Sequence, residues 1–371
     1  MVMSVNQLRS LRKCVPTLLL AAALSPAAYA KDQVPDWVRE AAAIKTPTYS
    51  AKTDAVVLLH DVSYTVGTDG TLTEHVRRVV RVLRPQGRRY AEMFASFDKA
   101  SKLRYVHIWS IGPDGKEYAV KDSDQKEYST SRFELYSDGR VRGLQAPASD
   151  VGAVAAMEFE RQDKPYENDI VWIPGERLPV VKERMTLNLP TGYSFTSSWK
   201  GKQTTQPVDA EHGRTFWEAL NQEPLFSEDE LPLAPHEIAL VPRLDVFYQG
   251  PGVAGQYGAM NGSWRGVGEW YERLGKDRNK PDAMINAKAQ ELVQGKTEFR
   301  DRVNAIAGFV QRDIRYVAIE IGVGGEQPHA AADTFHARYG DCKDKATLLS
   351  AMLNAVGLRS TWVMWIHGAA W

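Results

Sequence analysis

The sequence predicts an α+β protein in which an antiparallel β-sandwich is followed by a smaller domain of helices and short strands. Three observations support this fold class. Residues 54–189 alternate runs of β-branched and aromatic residues with Gly, Pro, Asn and Asp turns. Residues 223–268 are rich in proline and glycine, which indicates a connection between domains. After Trp264 the apolar residues recur at helical spacing.

The composition is that of an ordinary folded protein. The 371 residues are 43% apolar and include 46 Lys and Arg against 46 Asp and Glu. These values exclude a disordered chain, a collagen-like chain and a polytopic membrane protein. The chain has two cysteines, Cys14 and Cys342, which excludes a fold held together by several disulfides.

The first 30 residues have the pattern of a secretory signal. Three basic residues precede an apolar stretch at residues 15–24, and Ala28-Tyr29-Ala30 offers a cleavage site. The stretch is shorter than the roughly 20 residues that a membrane-spanning helix needs, which argues against an anchor. We therefore expect residues 1–30 to be a signal peptide. The mature chain is then exported, periplasmic or extracellular, without stable membrane insertion.

The charge of the mature chain does not favour nucleic acid as a partner. Residues 1–30 contain three basic and no acidic residues, so that 43 basic and 46 acidic residues remain and the net charge is −3. The basic residues concentrate between Arg77 and Arg89. Because Arg77 and Arg81 alternate with the valines of a strand pattern, the sequence predicts a solvated sheet face there.

Two hairpins are expected in the β-rich part, which we assign to residues 31–245. The first turns at Gly67-Thr68-Asp69-Gly70, between the alternating residues around Tyr64 and those around Val76. The second turns at Gly112-Pro113-Asp114-Gly115. Further runs bounded by Gly or Pro continue the spacing of an antiparallel sandwich.

Residues 246–268 are expected to be a glycine-rich connection without a cofactor or metal site. Residues 250–255 match a dinucleotide-binding pattern in form, but no suitable strand leads into them. His236-Glu237-Ile238-Ala239-Leu240 begins like a zinc-protease helix and has Leu240 where the second histidine must stand. We therefore expect no metal and no cofactor.

The remaining residues, 269–371, predict helices, then a buried strand at residues 314–321, then another helix. That last helix begins near Cys342 and continues through an apolar stripe to Gly357. Asp341 is a natural N-cap, and Asp344 stands three positions later, as in a capping box. A thiolate at the start of a helix is stabilised by the helix dipole, with Lys343 and Lys345 adding positive charge.

Two other roles for the cysteine stay open at this point. A single free cysteine is commonly a small buried hydrophobic residue. A redox-sensing thiol is the other possibility, although no resolving cysteine is at hand. A nucleophile fits the position of Cys342 better than either, because the first helical turn also offers backbone N–H groups to an oxyanion.

Three motifs resemble one known domain combination. Residues 314–320, Gly324-Gly325-Glu326-Gln327-Pro328-His329 and Tyr339-Gly340-Asp341-Cys342-Lys343-Asp344-Lys345-Ala346 resemble the papain-related, transglutaminase-like core found behind a DUF3857 domain. Residues 76–85 and 134–141 resemble DUF3857 itself. The resemblance implies a DUF3857-like β-sandwich followed by a partial transglutaminase-like domain.

The same resemblance implies that Cys342 is a nucleophile for acyl transfer through a thioester. Gln327 is a candidate oxyanion donor from the preceding loop. The catalytic histidine and aspartate of the family follow the cysteine helix, whereas 14 residues follow Gly357 here. His367 does not match the family position, and for His329 and His336 we expect packing and solvation roles. We therefore expect a domain that is incomplete at its C-terminus and an impaired enzyme.

The sequence thus favours an exported, transglutaminase-like protein that acts on a protein or peptide by acyl transfer or amide hydrolysis. The alternative is a non-catalytic module that binds a protein or peptide through its β-sandwich.

Overall fold

The computed structural model describes residues 33–129, 136–165, 167–201, 205–210, 213–225, 241–251, 253 and 263–363. The proposed signal peptide, Cys14, the segment 236–240, most of the glycine-rich stretch and His367 lie outside the described residues.

The described part of the chain is β-rich first and helical afterwards. Its strands are β1 Ala55–Val66, β2 Leu72–Val82, β3 Glu92–Phe97, β4 Ser101–Ile111, β5 Glu117–Ala119, β6 Lys126–Ser129, β7 Tyr136–Ser137, β8 Arg140–Gln145, β9 Val154–Asp163, β10 Asp169–Trp172, β11 Val180–Asn188, β12 Ser194–Lys200, β13 Val208–Ala210, β14 Arg214–Gln222, β15 Arg243–Gln249, β16 Arg315–Tyr316, β17 Ile319–Glu320 and β18 Tyr339–Gly340. Its helices are α1 Asp36–Ala42, α2 Trp264–Leu274, α3 Ala283–Val293, α4 Phe299–Asp313, α5 Ala331–Ala337 and α6 Cys342–Ala355. The α+β class is therefore confirmed.

An eight-stranded sheet with the order β13-β14-β11-β1-β2-β9-β4-β5 organises the first part. Both expected hairpins are present, because β1 pairs with β2 and β4 pairs with β5 in antiparallel register. The sheet is not antiparallel throughout, since β1 and β11 run parallel from Val57 opposite Val180 onwards. A parallel pair needs a long crossover, and the segment from β2 to β10 supplies it.

Smaller elements cover the large sheet on both faces. The sheet β3-β8-β6 packs on one face through Met93 and Ala95, against valines such as Val80. Helix α1 packs on the opposite face through Val38, against Val79. The alternation along β2 is therefore satisfied by a core on each face of the sheet.

The arginines of β2 contact the chain around α1 and are not simply solvated. Arg77 lies over the Trp37 ring at 5.1 Å and donates to Glu158 at 2.7 Å. Arg81 donates to the Ala42 carbonyl oxygen. The expected solvated face is therefore wrong in part, because α1 was not recognised from the sequence and uses these cations as packing partners.

A third sheet, β10-β15-β12, shares a core with the large sheet. The side chain of Trp217 on β14 is completely buried there, with its ring centroid 5.7 Å from that of Phe195. Strand β15 crosses the expected boundary at residue 245, and it pairs with β10 up to Phe247 and with β12 up to Gln249.

The helical part has its own core, formed by α3, α4, α5 and α6. The buried strand expected at residues 314–321 is wrong in form. Ile314 is buried, but Arg315 and Tyr316 are exposed and pair with β18, while β17 pairs with β7 of the β-rich part. The β-branched run forms two short strands because two of its residues pair with β18 and two others pair with β7. None of the helices in the described part combines the length and apolarity that a membrane span requires.

Trp217→Ala tests the shared core of the two sheets. We expect the free energy of unfolding to fall by about 3–5 kcal/mol in urea denaturation, because a fully buried aromatic side chain is lost. Leu220→Ala on the same strand is the control, since Leu220 is 53% exposed, and should change stability by less than about 1 kcal/mol. Equal losses in the two variants would contradict this packing.

Candidate functional site

Cys342 is the first residue of α6, and the helix start is fixed by a capping box. The Asp341 carboxylate accepts from the backbone N–H groups of Lys343 at 3.1 Å and Asp344 at 3.3 Å. The Asp344 carboxylate accepts in return from the Asp341 N–H at 3.1 Å. The predicted N-cap and its partner are confirmed. The box does not engage the N–H of Cys342, which stays directed to the start of the helix.

Gly340 allows this closed turn to form. A Cβ at this position would lie 2.6 Å from the Asp344 Cβ and 3.1 Å from a methyl carbon of Thr334. Both distances are shorter than ordinary contacts. The glycine is therefore required by the close approach of the chain to Asp344, immediately before the cysteine.

The Cys342 thiol is free and exposed. This excludes the small buried hydrophobic residue that the sequence left open. The two neighbouring lysines are directed elsewhere: Lys343 pairs with the Asp341 carboxylate, and Lys345 donates to the Ile314 carbonyl oxygen at 2.7 Å. Neither contact directs a lysine ammonium to the thiol.

Tyr271 on α2 is an electrostatic neighbour of the thiol that the sequence reasoning missed. Its pKa is raised, first by burial and then by Cys342, Glu326 and the acidic residues of the capping box. The phenol is therefore held in its protonated form and can donate a hydrogen bond. From the sequence, Tyr271 is only one of the residues at helical spacing after Trp264. The residues around it do not indicate that this helix lies close to Cys342.

Gln327 links the loop before α5 to the end of α2. Its Nε2 donates to the Leu274 carbonyl oxygen at 2.9 Å, and its Oε1 accepts from Arg278 at 3.0 Å. One N–H of the amide is not used by these two bonds. The oxyanion role of Gln327 stays a prediction.

His329 is held by the capping box. Its backbone N–H donates to Asp344 Oδ1 at 2.8 Å, and its Nδ1 lies 3.2 Å from both oxygens of that carboxylate. The expected loop-packing role is therefore too limited, since His329 is bonded within the turn that carries Cys342. His336 instead pairs with Asp282 at 3.1 Å. Within the described ranges, no hydrogen bond joins a histidine to the Cys342 sulfur.

Two partly buried carboxyls, Glu167 and Asp169, lie at the start of β10, and Glu326 interacts with Glu167 electrostatically. Burial, the Asp169 carboxylate and Glu326 raise the pKa of Glu167 to about 7. Burial also raises the pKa of Asp169. In the described part of the chain, no group of three or more His, Cys, Asp or Glu residues could hold a metal ion.

Two family models match the chain. Residues 68–225 match DUF3857, a domain of unknown function with a solved structure, and residues 286–370 match the transglutaminase-like superfamily. The two matches, in this order along the chain, are those that its motifs predicted. No curated protein matches the chain significantly.

Solved structures support the fold. A crystal structure described as a putative protease from Parabacteroides distasonis is 17% identical and has a TM-score of 0.66; the match covers 82% of this chain and 59% of that one. This chain thus spans less than two thirds of that protein. An M1 zinc metallopeptidase from Deinococcus radiodurans is 12% identical over 54% of this chain and 44% of its own, and its TM-score is 0.27. Native yeast LTA4 hydrolase is 11% identical over 67% of this chain and 38% of its own, and its TM-score is 0.28. The last two scores are too low for any inference.

Gly340→Ala tests the close packing before Cys342. The added Cβ must displace Asp344, so we expect the free energy of unfolding to fall by about 1–3 kcal/mol in urea denaturation. Gly268→Ala in α2 is the control, because a Cβ there meets nothing within 4 Å. This control should be neutral or more stable by up to about 1 kcal/mol. A tolerated alanine at position 340 would contradict the packing.

Glu167→Gln tests these two carboxyls through the pH dependence of stability. The pKa of Glu167 is raised in the fold from 4.5 to about 7. The unfolded chain therefore releases this proton first, and stability falls as the pH rises between these two values. We expect Glu167→Gln to reduce that slope in urea denaturation across the interval, whereas Glu40→Gln, at an exposed glutamate of α1, leaves it unchanged. An unchanged slope in Glu167→Gln would refute the assignment.

Proposed function

Because the chain combines a DUF3857 domain with a transglutaminase-like core, we propose that it is an exported protein that uses Cys342 as a nucleophile on a protein or peptide substrate. The reaction is acyl transfer to an amine, or hydrolysis of an amide. The observation that carries the proposal is an exposed free thiol on the first residue of a helix with a closed capping box.

The chemistry begins at the sulfur of Cys342. The thiolate attacks the carbonyl carbon of a glutamine-like or peptide amide, and the tetrahedral intermediate carries its negative charge on the former carbonyl oxygen. Collapse of the intermediate forms a thioester and expels ammonia or an amine, whose nitrogen takes up a proton from solvent. An incoming amine or water then attacks the thioester and releases the thiolate.

Oxyanion stabilisation is available at the same turn. The N–H of Cys342 is directed to the start of the helix, where the helix dipole also favours negative charge. Tyr271 supports this role because its phenol stays protonated and interacts electrostatically with Cys342. The unused N–H of Gln327 is a further candidate donor.

We propose export because residues 1–30 have the pattern of a secretory signal. The proposed partner is neither nucleic acid nor a lipid bilayer. We assign the first domain to substrate positioning, because its strand β7 pairs with β17 of the core domain.

Alkylation of Cys342 tests the nucleophile without a known substrate. We treat the full chain with iodoacetamide at pH 6, native and unfolded in urea, and measure the label on the Cys342 peptide by mass spectrometry. Because the fold activates the thiol, we expect alkylation to be at least about tenfold faster in the native protein. Cys342→Ser is the control and should show no label on this peptide.

The same experiment separates the two candidate functions. A native rate equal to the unfolded rate, or slower than it, contradicts an activated thiol and favours the non-catalytic binding module. A second assay measures incorporation of a fluorescent primary amine into casein by the unsubstituted protein and by Cys342→Ser. Incorporation that depends on Cys342 indicates transamidation and not hydrolysis alone.

A further inference from the structure

The loop at residues 326–331 connects the end of α2 to the start of α6. The Gln327 side chain joins it to Leu274, and the Ala331 N–H donates to the Arg278 carbonyl oxygen at 2.8 Å. Between these two attachments, His329 reaches the Asp344 carboxylate. The loop therefore joins the helix that carries Tyr271 to the turn that carries Cys342.

Asp344 has a particular need for this partner. Its side chain is only 4% exposed, and its oxygens accept from the backbone N–H groups of Asp341 and His329. Among the described side chains, the imidazole of His329 is the one within hydrogen-bond or ion-pair distance of that carboxylate. Carboxylate oxygens accept hydrogen bonds, so the imidazole form with its proton on Nδ1 is the one that can donate a hydrogen bond to Asp344. A buried carboxylate that loses such a donor is costly to retain.

We propose that His329 is a positioning residue for Cys342. Its imidazole holds the Asp344 carboxylate in place, Asp344 holds the Asp341 N–H, and the closed capping box fixes the direction of the Cys342 N–H and thiol. The proposal rests on the proposed function of Cys342, but the position of the turn can be measured independently of that function.

The His329 side chain contacts both oxygens of the Asp344 carboxylate, and its backbone contacts one. The backbone N–H reaches Oδ1 alone, whereas Nδ1 lies across both oxygens of the carboxylate. Without the imidazole, the carboxylate gains access to solvent and can rotate away from Asp341. We expect the first turn of α6 to open more often, and the thiol to spend less time in the direction in which the helix dipole stabilises it.

The chain offers a matched control at another helix start. His336 contacts Asp282 at 3.1 Å, and Asp282 is the N-cap of α3, accepting from the Ile285 N–H at 2.8 Å. The two histidines are equally exposed, at 46% for His329 and 49% for His336. The two pairs differ in the exposure of the aspartate. Asp344, near Cys342, is buried, whereas Asp282 at α3 is 35% exposed. His336→Ala therefore removes a similar contact from a helix start that carries no cysteine.

The experiment compares His329→Ala, His329→Asn and His336→Ala in the full chain. Asn places its Nδ2 donor close to the position of the histidine Nδ1, so it is the conservative rescue. Two readouts are measured by mass spectrometry: hydrogen exchange of the peptide that contains residues 341–344, and the ratio of native to unfolded alkylation rates at Cys342.

We expect His329→Ala to accelerate hydrogen exchange in this peptide and to lower the alkylation ratio about threefold to tenfold. His329→Asn should stay within about twofold of the unsubstituted protein in both readouts, and His336→Ala should leave them unchanged. The proposal is overturned if His329→Ala leaves both readouts unchanged, if asparagine fails to rescue, or if His336→Ala has the same effect.

The two hypotheses fail in different ways. An alkylation ratio near one in the unsubstituted protein contradicts the proposed function, and hydrogen exchange then still decides whether His329 fixes the turn. If His329→Ala does not fold, His329→Asn and His329→Gln replace it, because they differ in where they place the amide donor. Equal exchange in these two variants would then refute a positioned Nδ1 contact.

Discussion

The buried carboxylate of Asp344 is the constraint on which the candidate site depends. It closes the capping box, accepts from two backbone N–H groups and receives the His329 imidazole, while Gly340 leaves the space that it occupies. Each of these contacts restricts the same short turn. The direction of the Cys342 thiol follows from that turn, since the cysteine is its first helical residue.

Local patterns were sufficient to predict the start of α6. A cap residue, a capping partner three positions later and an apolar stripe are encoded within a few residues, and the structure confirms them at Asp341 and Asp344. The two hairpins were predictable for the same reason, because their turns are adjacent to the strands that they join.

Long-range partners were not predictable from those patterns. The contact of His329 with Asp344 spans 15 positions, and the pairing of β7 with β17 joins the two parts of the chain. The lysines beside Cys342 looked like local cations for the thiol, yet Asp341 and Ile314 bind them. In each case the tertiary packing selected the partner, and the local sequence did not indicate which partner that would be.

Residues 314–321 form two short strands, β16 and β17, which pair with different parts of the chain. Because β16 pairs with the strand directly before Cys342 and β17 pairs with β7, a single segment contacts both the candidate nucleophile turn and the DUF3857 part. This arrangement connects the DUF3857 part to the turn that carries Cys342 in a way that neither domain pattern indicates alone.

Capture of the acyl-enzyme is the sharpest test of Cys342 as the nucleophile. The full chain is incubated with a glutamine-containing peptide, quenched in acid, and analysed by intact mass and peptide mapping. Our account predicts a thioester on Cys342, with the mass of the peptide less ammonia, that hydroxylamine removes and that Cys342→Ser does not form. A hydroxylamine-sensitive adduct at another residue, or its persistence in Cys342→Ser, would contradict the account.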